Sequence, residues 1–142
     1  MSARRYFDTM MVAAFMERDV QYGLRSTKAD VLASQMIEGF GGMPIVDDDR
    51  RLVGIVTEFD LLAALDRGLL LSELTAQQIM TGFPISARKD MDAQRLIHLL
   101  KTNHLIRVPV VDQEDRLIGV VARRDILRSY LATPKRTGEE DW

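Results

Sequence analysis

Two aspartates, Asp60 and Asp125, occupy matching places in the sequence and are the first candidates for chemistry. Each follows a glycine, Gly54 or Gly119, by six residues, and each stands where an apolar run gives way to a helical pattern. The helix dipole stabilises a carboxylate in the first turn, and Thr57 before Asp60 completes a capping-box pattern. Such a cap contributes about 0.5–2 kcal/mol, so the pattern can serve the fold without any ligand.

No familiar catalytic motif accompanies these residues. The chain has no G-x-S-x-G, no P-loop and no G-x-G-x-x-G, and no nucleophile and base stand out as a pair, so we do not expect an enzyme. The triplet Asp47–Asp49 lacks the alternating ligand spacing of a calcium loop, and we interpret it as a solvated turn. His98 and His104 lie six residues apart in a chain without cysteine, which favours surface placement over a metal site.

Both aspartates belong to a unit that is written twice. The stretch Met43–Leu62, MPIVDDDRRLVGIVTEFDLL, returns at Val108–Leu127 as VPVVDQEDRLIGVVARRDIL, 65 residues later. A unit of about 60 residues buries little apolar surface alone, whereas two can share one core. The duplication therefore predicts two packed repeats with a ligand cleft between them. We set the repeats at 1–70 and 71–132, followed by a flexible tail over 133–142 that contains Trp142.

Composition is that of an ordinary globular protein. The 142 residues carry a net charge of −2 with both signs interspersed, which offers no basic field for nucleic acid. The absence of cysteine excludes disulfides and thiolate zinc sites, and the expected compartment is the cytoplasm. No apolar run approaches the roughly 20 residues that cross a bilayer. The run Met10–Met16 follows Arg4 and Arg5 as in a signal peptide, but Asp8 interrupts the approach, so we expect an N-terminal helix.

Periodicity predicts the order strand, helix, strand, strand, helix in each copy, an α/β (α+β) fold class. In the first copy we predict, after an N-terminal helix over Phe7–Met16, a strand near Val20–Leu24, a helix over Lys28–Glu38 begun by a Thr27 and Asp30 capping box, strands at Met43–Val46 and Leu52–Val56, and a helix over Glu58–Leu65. In the second copy we predict a short helix at Thr75–Met80, a strand at Phe83–Ala87, a helix over Met91–Thr102 capped by Asp90, strands at Arg107–Val111 and Leu117–Val121, and a closing helix that carries Ile126 and Leu127.

The words MPIVD…LVGIVTEFDLL and VPVVD…LIGVVARRDIL, in this order and spacing, resemble the CBS domain family, whose tandem pairs form the Bateman module. The resemblance covers nearly the whole chain and implies a stand-alone pair packed about a pseudo-twofold axis. It also implies a regulator, with no obligatory cofactor, that binds AMP, ADP, ATP or S-adenosylmethionine in the cleft between repeats. We expect a homodimer through exposed helix faces and a signal to a partner enzyme or transporter.

Carried over residue by residue, the resemblance implies two unequal ligand sites. In the first copy, Asp60 would accept hydrogen bonds from ribose hydroxyls, and Thr57 would donate to a phosphate at the helix N-terminus. Four further residues would contact the adenosine, namely Gly54, Ile55, Met43 and Val20.

The second copy departs from the family pattern, because Ala122 replaces the threonine. Asp125 remains, and Arg107 stands two residues before the strand proline, where the family often places a phosphate-binding arginine. The implied weaker site comprises Asp125, Arg107, Val120, Arg123 and Arg124. The alternative that stays open is a ligand-free scaffold for dimerisation or interaction, in which Thr57 and Asp60 only cap a helix.

Overall fold

The computed structural model describes residues 7–39 and 41–133, which form two compact units. We call them the first-copy unit, made of Gln21–Pro84 and Glu114–Leu117, and the second-copy unit, made of the described residues up to Val20, of Ile85–Gln113 and of those from Ile118 onwards. The units divide the chain at other points than the repeats 1–70 and 71–132, because the N-terminal segment joins the second-copy unit.

Part of the sequence-based description falls outside these ranges. Of the tail over 133–142 only Thr133 is described, and Trp142 is not. Among the described helices, none is both long and apolar enough to cross a membrane.

The first-copy unit contains a four-stranded sheet in the order β1-β2-β3-β4. Strands β1 and β2 are parallel, whereas β3 is antiparallel to both β2 and β4. Its elements are β1 (Gly23–Leu24), α1 (Ala29–Glu38), β2 (Gly42–Val46), β3 (Leu52–Thr57), α2 (Glu58–Asp66), a 3-10 turn (Leu71–Glu73), α3 (Ala76–Ile79) and β4 (Thr81–Gly82).

One stripe of α1 anchors the core of this unit. Ala29, Leu32 and Met36 are buried at the spacing i, i+3, i+7, which places them on a single helix face. They pack in one cluster with Ile45 of β2 and Val56 of β3. Thr57 is the last residue of β3 and also the N-cap of α2, so the strand leads directly into the helix.

The second-copy unit repeats this plan with a three-stranded sheet in the order β5-β6-β7. Helix α4 buries Ala93, Leu96 and Leu100, the same i, i+3, i+7 spacing as in α1. The predicted order strand, helix, strand, strand, helix is confirmed in both copies. The elements are a 3-10 turn (Val12–Ala14), β5 (Ala87–Arg88), α4 (Ala93–Thr102), β6 (Arg107–Val111), β7 (Leu117–Ala122) and α5 (Arg123–Ala132).

The predicted N-terminal helix over Phe7–Met16 is wrong. Helical backbone is limited to 7–9, and a 3-10 turn follows at Val12–Ala14. The backbone N–H of Val12 donates to the carbonyl of Met91 at 2.8 Å, and that of Ala13 donates to Lys89 at 3.0 Å. These bonds to another segment replace the internal bonds that a continuous helix would need.

The same contacts explain the wrong cap of α4. Because the carbonyl of Met91 is bound to the N–H of Val12 and not to a helical N–H, the helix begins later than predicted, with Asp92 in place of Asp90 as its N-cap. The side chain of Asp92 accepts the N–H of Arg95 at 2.8 Å.

Two further sequence-based predictions are wrong. The predicted strand over Phe83–Ala87 is not found at 83–86. Phe83 has φ of +50°, so β4 ends at Gly82, and β5 begins only at Ala87. The Thr27 and Asp30 capping box does not form, because Lys28 is the N-cap of α1. Thr27 accepts the N–H of Leu24 instead, and the first free N–H of the helix, at Ala29, donates to the carbonyl of Leu74 at 2.9 Å.

Candidate functional site

Thr57 and Asp60 form a complete capping box at the start of α2. Oδ2 of Asp60 accepts the backbone N–H of Thr57 at 2.8 Å and the Thr57 hydroxyl at 3.0 Å. The Thr57 oxygen in turn accepts the N–H of Asp60 at 3.3 Å. The strand end and the helix start are therefore locked together by side chains from both.

This arrangement leaves one carboxylate oxygen of Asp60 available. Among the described residues, no donor is bound to Oδ1, and the side chain is half-buried. A half-buried carboxylate oxygen with an open lone pair is a strong acceptor for sugar hydroxyls. The hydroxyl hydrogen of Thr57 is already donated to Asp60, so a phosphate would have to displace that bond to use it.

The other residues expected at the first site have different surroundings. Gly54 is covered, since a Cβ there would collide with the sulfur of Met80 and stand 3.0 Å from the carbonyl of Thr81. Met43 is 3% exposed and belongs to the core cluster. Ile55 is half-buried beside Gly42, and Val20 is a half-buried residue of the second-copy unit.

Glu58 lies within the motif of the first copy, but the sequence reasoning gave it no role of its own at this site. Its backbone N–H donates to the carbonyl of Gly41 at 3.1 Å. Its side chain lies over the same glycine, with Oε1 2.7 Å from the position that a Cβ of Gly41 would occupy. Glu58 and Asp60 thus place two carboxylates in the first turn of α2. At the corresponding position the second copy has Arg123, which carries the opposite charge. This difference between the copies could have drawn attention to Glu58 from the sequence alone.

In the second copy, Asp125 forms one half of the corresponding capping box. Its Oδ2 accepts the backbone N–H of Ala122 at 2.8 Å, as Asp60 does from Thr57. Ala122 has no hydroxyl to return a bond, and Oδ1 of Asp125 lies 3.7 Å from a guanidinium nitrogen of Arg128. The carboxylate therefore has the same placement with a different charge environment.

Arg107, Arg124 and Asp125 come together at this point. The Arg107 side chain is partly desolvated, and this burial lowers its pKa; Arg124 lowers the pKa further, whereas Asp125 acts in the opposite direction. Arg107 is the first residue of β6, and Arg124 is the second residue of α5.

Arg123 and Val120 are held by the framework. The backbone N–H of Arg123 donates to the carbonyl of Ile106 at 2.9 Å. The side-chain Nε of Arg123 donates to the carbonyl of Leu105. Val120 is buried and exchanges backbone hydrogen bonds with Glu17, so it serves the sheet.

Comparison with known proteins begins with curated sequences. The chain is 36% identical over 87 residues to an inosine-5'-monophosphate dehydrogenase of Methanocaldococcus jannaschii, an alignment that covers 61% of this chain and 16% of that protein. It is 32% identical over 122 residues to an uncharacterised protein of Methanopyrus kandleri, covering 84% of this chain and 62% of that one. The chain thus spans less than two thirds of the length of each.

Solved structures of similar fold include adenosine complexes. CBSX2, a CBS-pair protein of Arabidopsis thaliana, has been solved with AMP; that complex has a TM-score of 0.74 and 28% identity, and the match covers 86% of this chain and 96% of that one. The CBS domain pair of protein MJ0100 has been solved with 5-methylthioadenosine and S-adenosyl-L-methionine, with a TM-score of 0.74, 26% identity and coverage of 89% and 99%. The CBS domain model matches residues 12–67 and 76–132. The chain belongs to the CBS domain family, of which it contains a tandem pair.

Proposed function

We propose that this protein is a regulatory sensor that binds an adenosine compound, such as AMP, ADP, ATP or S-adenosylmethionine, and signals to a partner protein. The observation that carries the proposal is the matched pair of carboxylates, Asp60 and Asp125. Each has one oxygen bound to the N–H of the N-cap residue, which fixes its orientation. The adenosine ligands of two structural relatives, CBSX2 and the MJ0100 pair, support this choice of ligand class.

The ribose is the part of the ligand that these carboxylates suit best. A hydrogen bond to a charged acceptor contributes about 1.5–3 kcal/mol, and two vicinal hydroxyls can donate to one carboxylate. The first-copy site uses Asp60 with Thr57, Ile55 and the strand end as its frame. The second-copy site uses Asp125 with Arg107 and Arg124.

A ligand-free scaffold is the second candidate, and the closed capping box favours it. Thr57 and Asp60 satisfy each other without any ligand. Apolar side chains also remain exposed on the helices that follow the two sites. They are Phe59, Leu62 and Leu65 on α2, and Leu127 and Leu131 on α5. A homodimer through these faces would give the protein an interaction role under either candidate.

Thermal unfolding with a ligand panel separates the two candidates. Ligand at 100 times its dissociation constant adds about 2.7 kcal/mol, which raises the midpoint by roughly 2–8 °C. We expect at least one of AMP, ADP, ATP and S-adenosylmethionine to do so. No shift with any of the four would favour the scaffold.

Replacement of each carboxylate then tests the sites. Asp60→Asn and Asp125→Asn keep an oxygen for the N-cap N–H and remove the charge, so each should weaken binding at its own site by about tenfold or more. Asp66→Asn, at the far end of α2, is the matched control and should leave binding unchanged.

A further inference from the structure

The helices of the two copies carry opposite net charge. Helices α1 and α2 of the first-copy unit contain five acids and no base, whereas α4 and α5 of the second-copy unit contain five bases and one acid. The whole chain has a net charge of only −2, so the two signs are separated between the copies. Surfaces of opposite sign attract each other across an interface, and surfaces of the same sign repel.

In the first-copy unit, the exposed side of α2 combines this negative charge with apolar side chains. At 3.6 residues per turn, five residues of this helix share an arc of about 120°. Three of them are apolar and 52–82% exposed, and two are exposed acids. The buried residues Leu61 and Ala64 lie outside the arc. We call this arc the acidic stripe; it comprises Glu58, Phe59, Leu62, Leu65 and Asp66.

The second-copy unit has a groove of the opposite charge between α4 and α5. Its volume is about 540 Å³. Its apolar lining consists of Ile97, Leu100, Ile126 and Leu127, and its basic lining consists of Lys101, His104 and Arg123. No acid is among the described residues that line it. Leu100 and Ile126 are buried and form the floor, whereas Lys101 and His104 are exposed. The Arg123 side chain is anchored by the bond from its Nε to the carbonyl of Leu105.

The charges of the stripe and the groove decide which surface fits which. An apolar groove binds a helix that presents apolar side chains on one face. Burial of those side chains supplies affinity, and the charged groups around them select the partner and its orientation. Stripe against stripe would place acids beside acids, and groove against groove would place bases beside bases. Only stripe against groove joins opposite charges.

We propose that two molecules of this protein associate through unlike faces, the acidic stripe of one packing into the groove of another. Phe59 and Leu62 enter the groove, and the carboxylates of Glu58 and Asp66 face its basic lining. This inference deepens the homodimer of the proposed function by naming the faces that meet. It does not depend on whether an adenosine compound binds.

Charge reversal on each face provides the test, with the dissociation constant of self-association measured by sedimentation. Glu58→Arg with Asp66→Lys reverses the stripe, and Lys101→Glu with Arg123→Glu reverses the groove. Each of these proteins should associate at least about tenfold more weakly than the wild type. The protein with all four changes should regain most of the lost affinity, because opposite charges then face each other again. Glu58 and Arg123 correspond in the repeat, so either charge is compatible with the start of this helix.

Matched controls make the same changes of charge away from the two faces. Glu73→Lys lies on the exposed 3-10 turn of the first-copy unit. Arg95→Glu lies on α4, about 160° around the helix from Ile97. Both proteins should associate as the wild type does. A loss equal to that of the face variants would show a general effect of net charge and would overturn the proposed pairing.

The salt dependence of the wild-type protein is a second measurement that needs no variant. Association through unlike faces should weaken severalfold between about 50 mM and 500 mM salt, because salt screens the attraction. Association through like faces predicts the opposite: salt would strengthen it, and reversal of either face would leave it unchanged. Those results would refute the pairing while the homodimer stands. A monomeric wild type at every concentration would refute both, and the ligand panel would still decide whether adenosine compounds bind.

Discussion

Glu17 and Val120 exchange two backbone hydrogen bonds, 2.8 Å and 2.9 Å long, so a residue from the N-terminal segment extends the sheet of the second copy beside β7. The corresponding contact in the first copy joins Thr81 of β4 to Ile55 of β3. In both cases a methionine, Met16 or Met80, lies against the central glycine of the neighbouring strand. The glycines of the repeat therefore permit the close approach of a further chain segment.

Gly119→Ala should destabilise the protein by about 1–3 kcal/mol. A Cβ at this position would stand 2.8 Å from the carbonyl oxygen of Glu17, which cannot move without loss of its bonds to Val120. Urea unfolding measures the effect. Gly82→Ala is the control, since no atom of the residues that the structure describes lies within 4 Å of the added atom. Equal midpoints for the two variants would show that the close approach at Gly119 is not required.

The repeat pattern predicts the order of elements because apolar periodicity is a local property of the chain. The starts of α1 and α4 were mispredicted for a physical reason. The first N–H groups of these helices, at Ala29 and Ala93, donate to the carbonyls of Leu74 and Met10, which are distant in sequence. At α1 a local capping residue such as Thr27 is then not needed, whereas α4 also uses the side chain of Asp92. No local pattern records which distant carbonyl accepts the first N–H of each helix.

Thr57→Ala should lower the free energy of unfolding by about 0.5–2 kcal/mol, because it removes the oxygen that caps the N–H of Asp60. The reverse change in the second copy, Ala122→Ser, should raise the free energy of unfolding by a similar amount by completing the half-formed box at Asp125. Chemical denaturation of both variants measures the pair. Ala63→Ser, within α2, adds a hydroxyl where no cap exists and should not stabilise; a gain from it equal to that of Ala122→Ser would contradict the capping explanation.

Arg124→Gln should have opposite effects on stability and on binding. Without ligand, Arg124 and the partly buried Arg107 repel each other, so the substitution should raise the free energy of unfolding by about 0.2–1 kcal/mol at low salt. With AMP, the same change removes a phosphate partner and should weaken binding. Thermal unfolding with and without AMP compares the two effects. Arg95→Gln, at an exposed position of α4, should change neither, and a loss of stability in Arg124→Gln without ligand would contradict the repulsion.

The candidate site was predictable where it depends on residues near each other in sequence. The spacing of Thr57 and Asp60 dictates their capping box, and the repeat identifies Asp125 as its counterpart. The surroundings of Met43 and Val120 were not predictable in this way. Both lie in strands whose two faces are covered, and alternation does not say which segment covers a given face. The charge environment of Arg107 likewise depends on residues distant in sequence, Arg124 and Asp125.

The exposed apolar residues of α2 and α5 test the proposed homodimer. Leu62 is 59% exposed and Leu131 is 79% exposed. Apolar side chains grouped on one helix face are typical of surfaces that pack against another protein. Leu62→Glu and Leu131→Glu should each increase the dimer dissociation constant by at least tenfold, because a charge buried in an apolar interface costs more than 1.4 kcal/mol.

Sedimentation over a range of protein concentrations measures that change. Leu70→Glu is the matched control, because Leu70 is equally accessible, at 61%, but lies outside both helices. If Leu70→Glu dissociates the dimer as strongly as Leu62→Glu, the interface does not use the face of α2. If the wild-type protein sediments as a monomer at all concentrations, the exposed leucines do not serve self-association, and the signal to a partner would have to pass through the single chain.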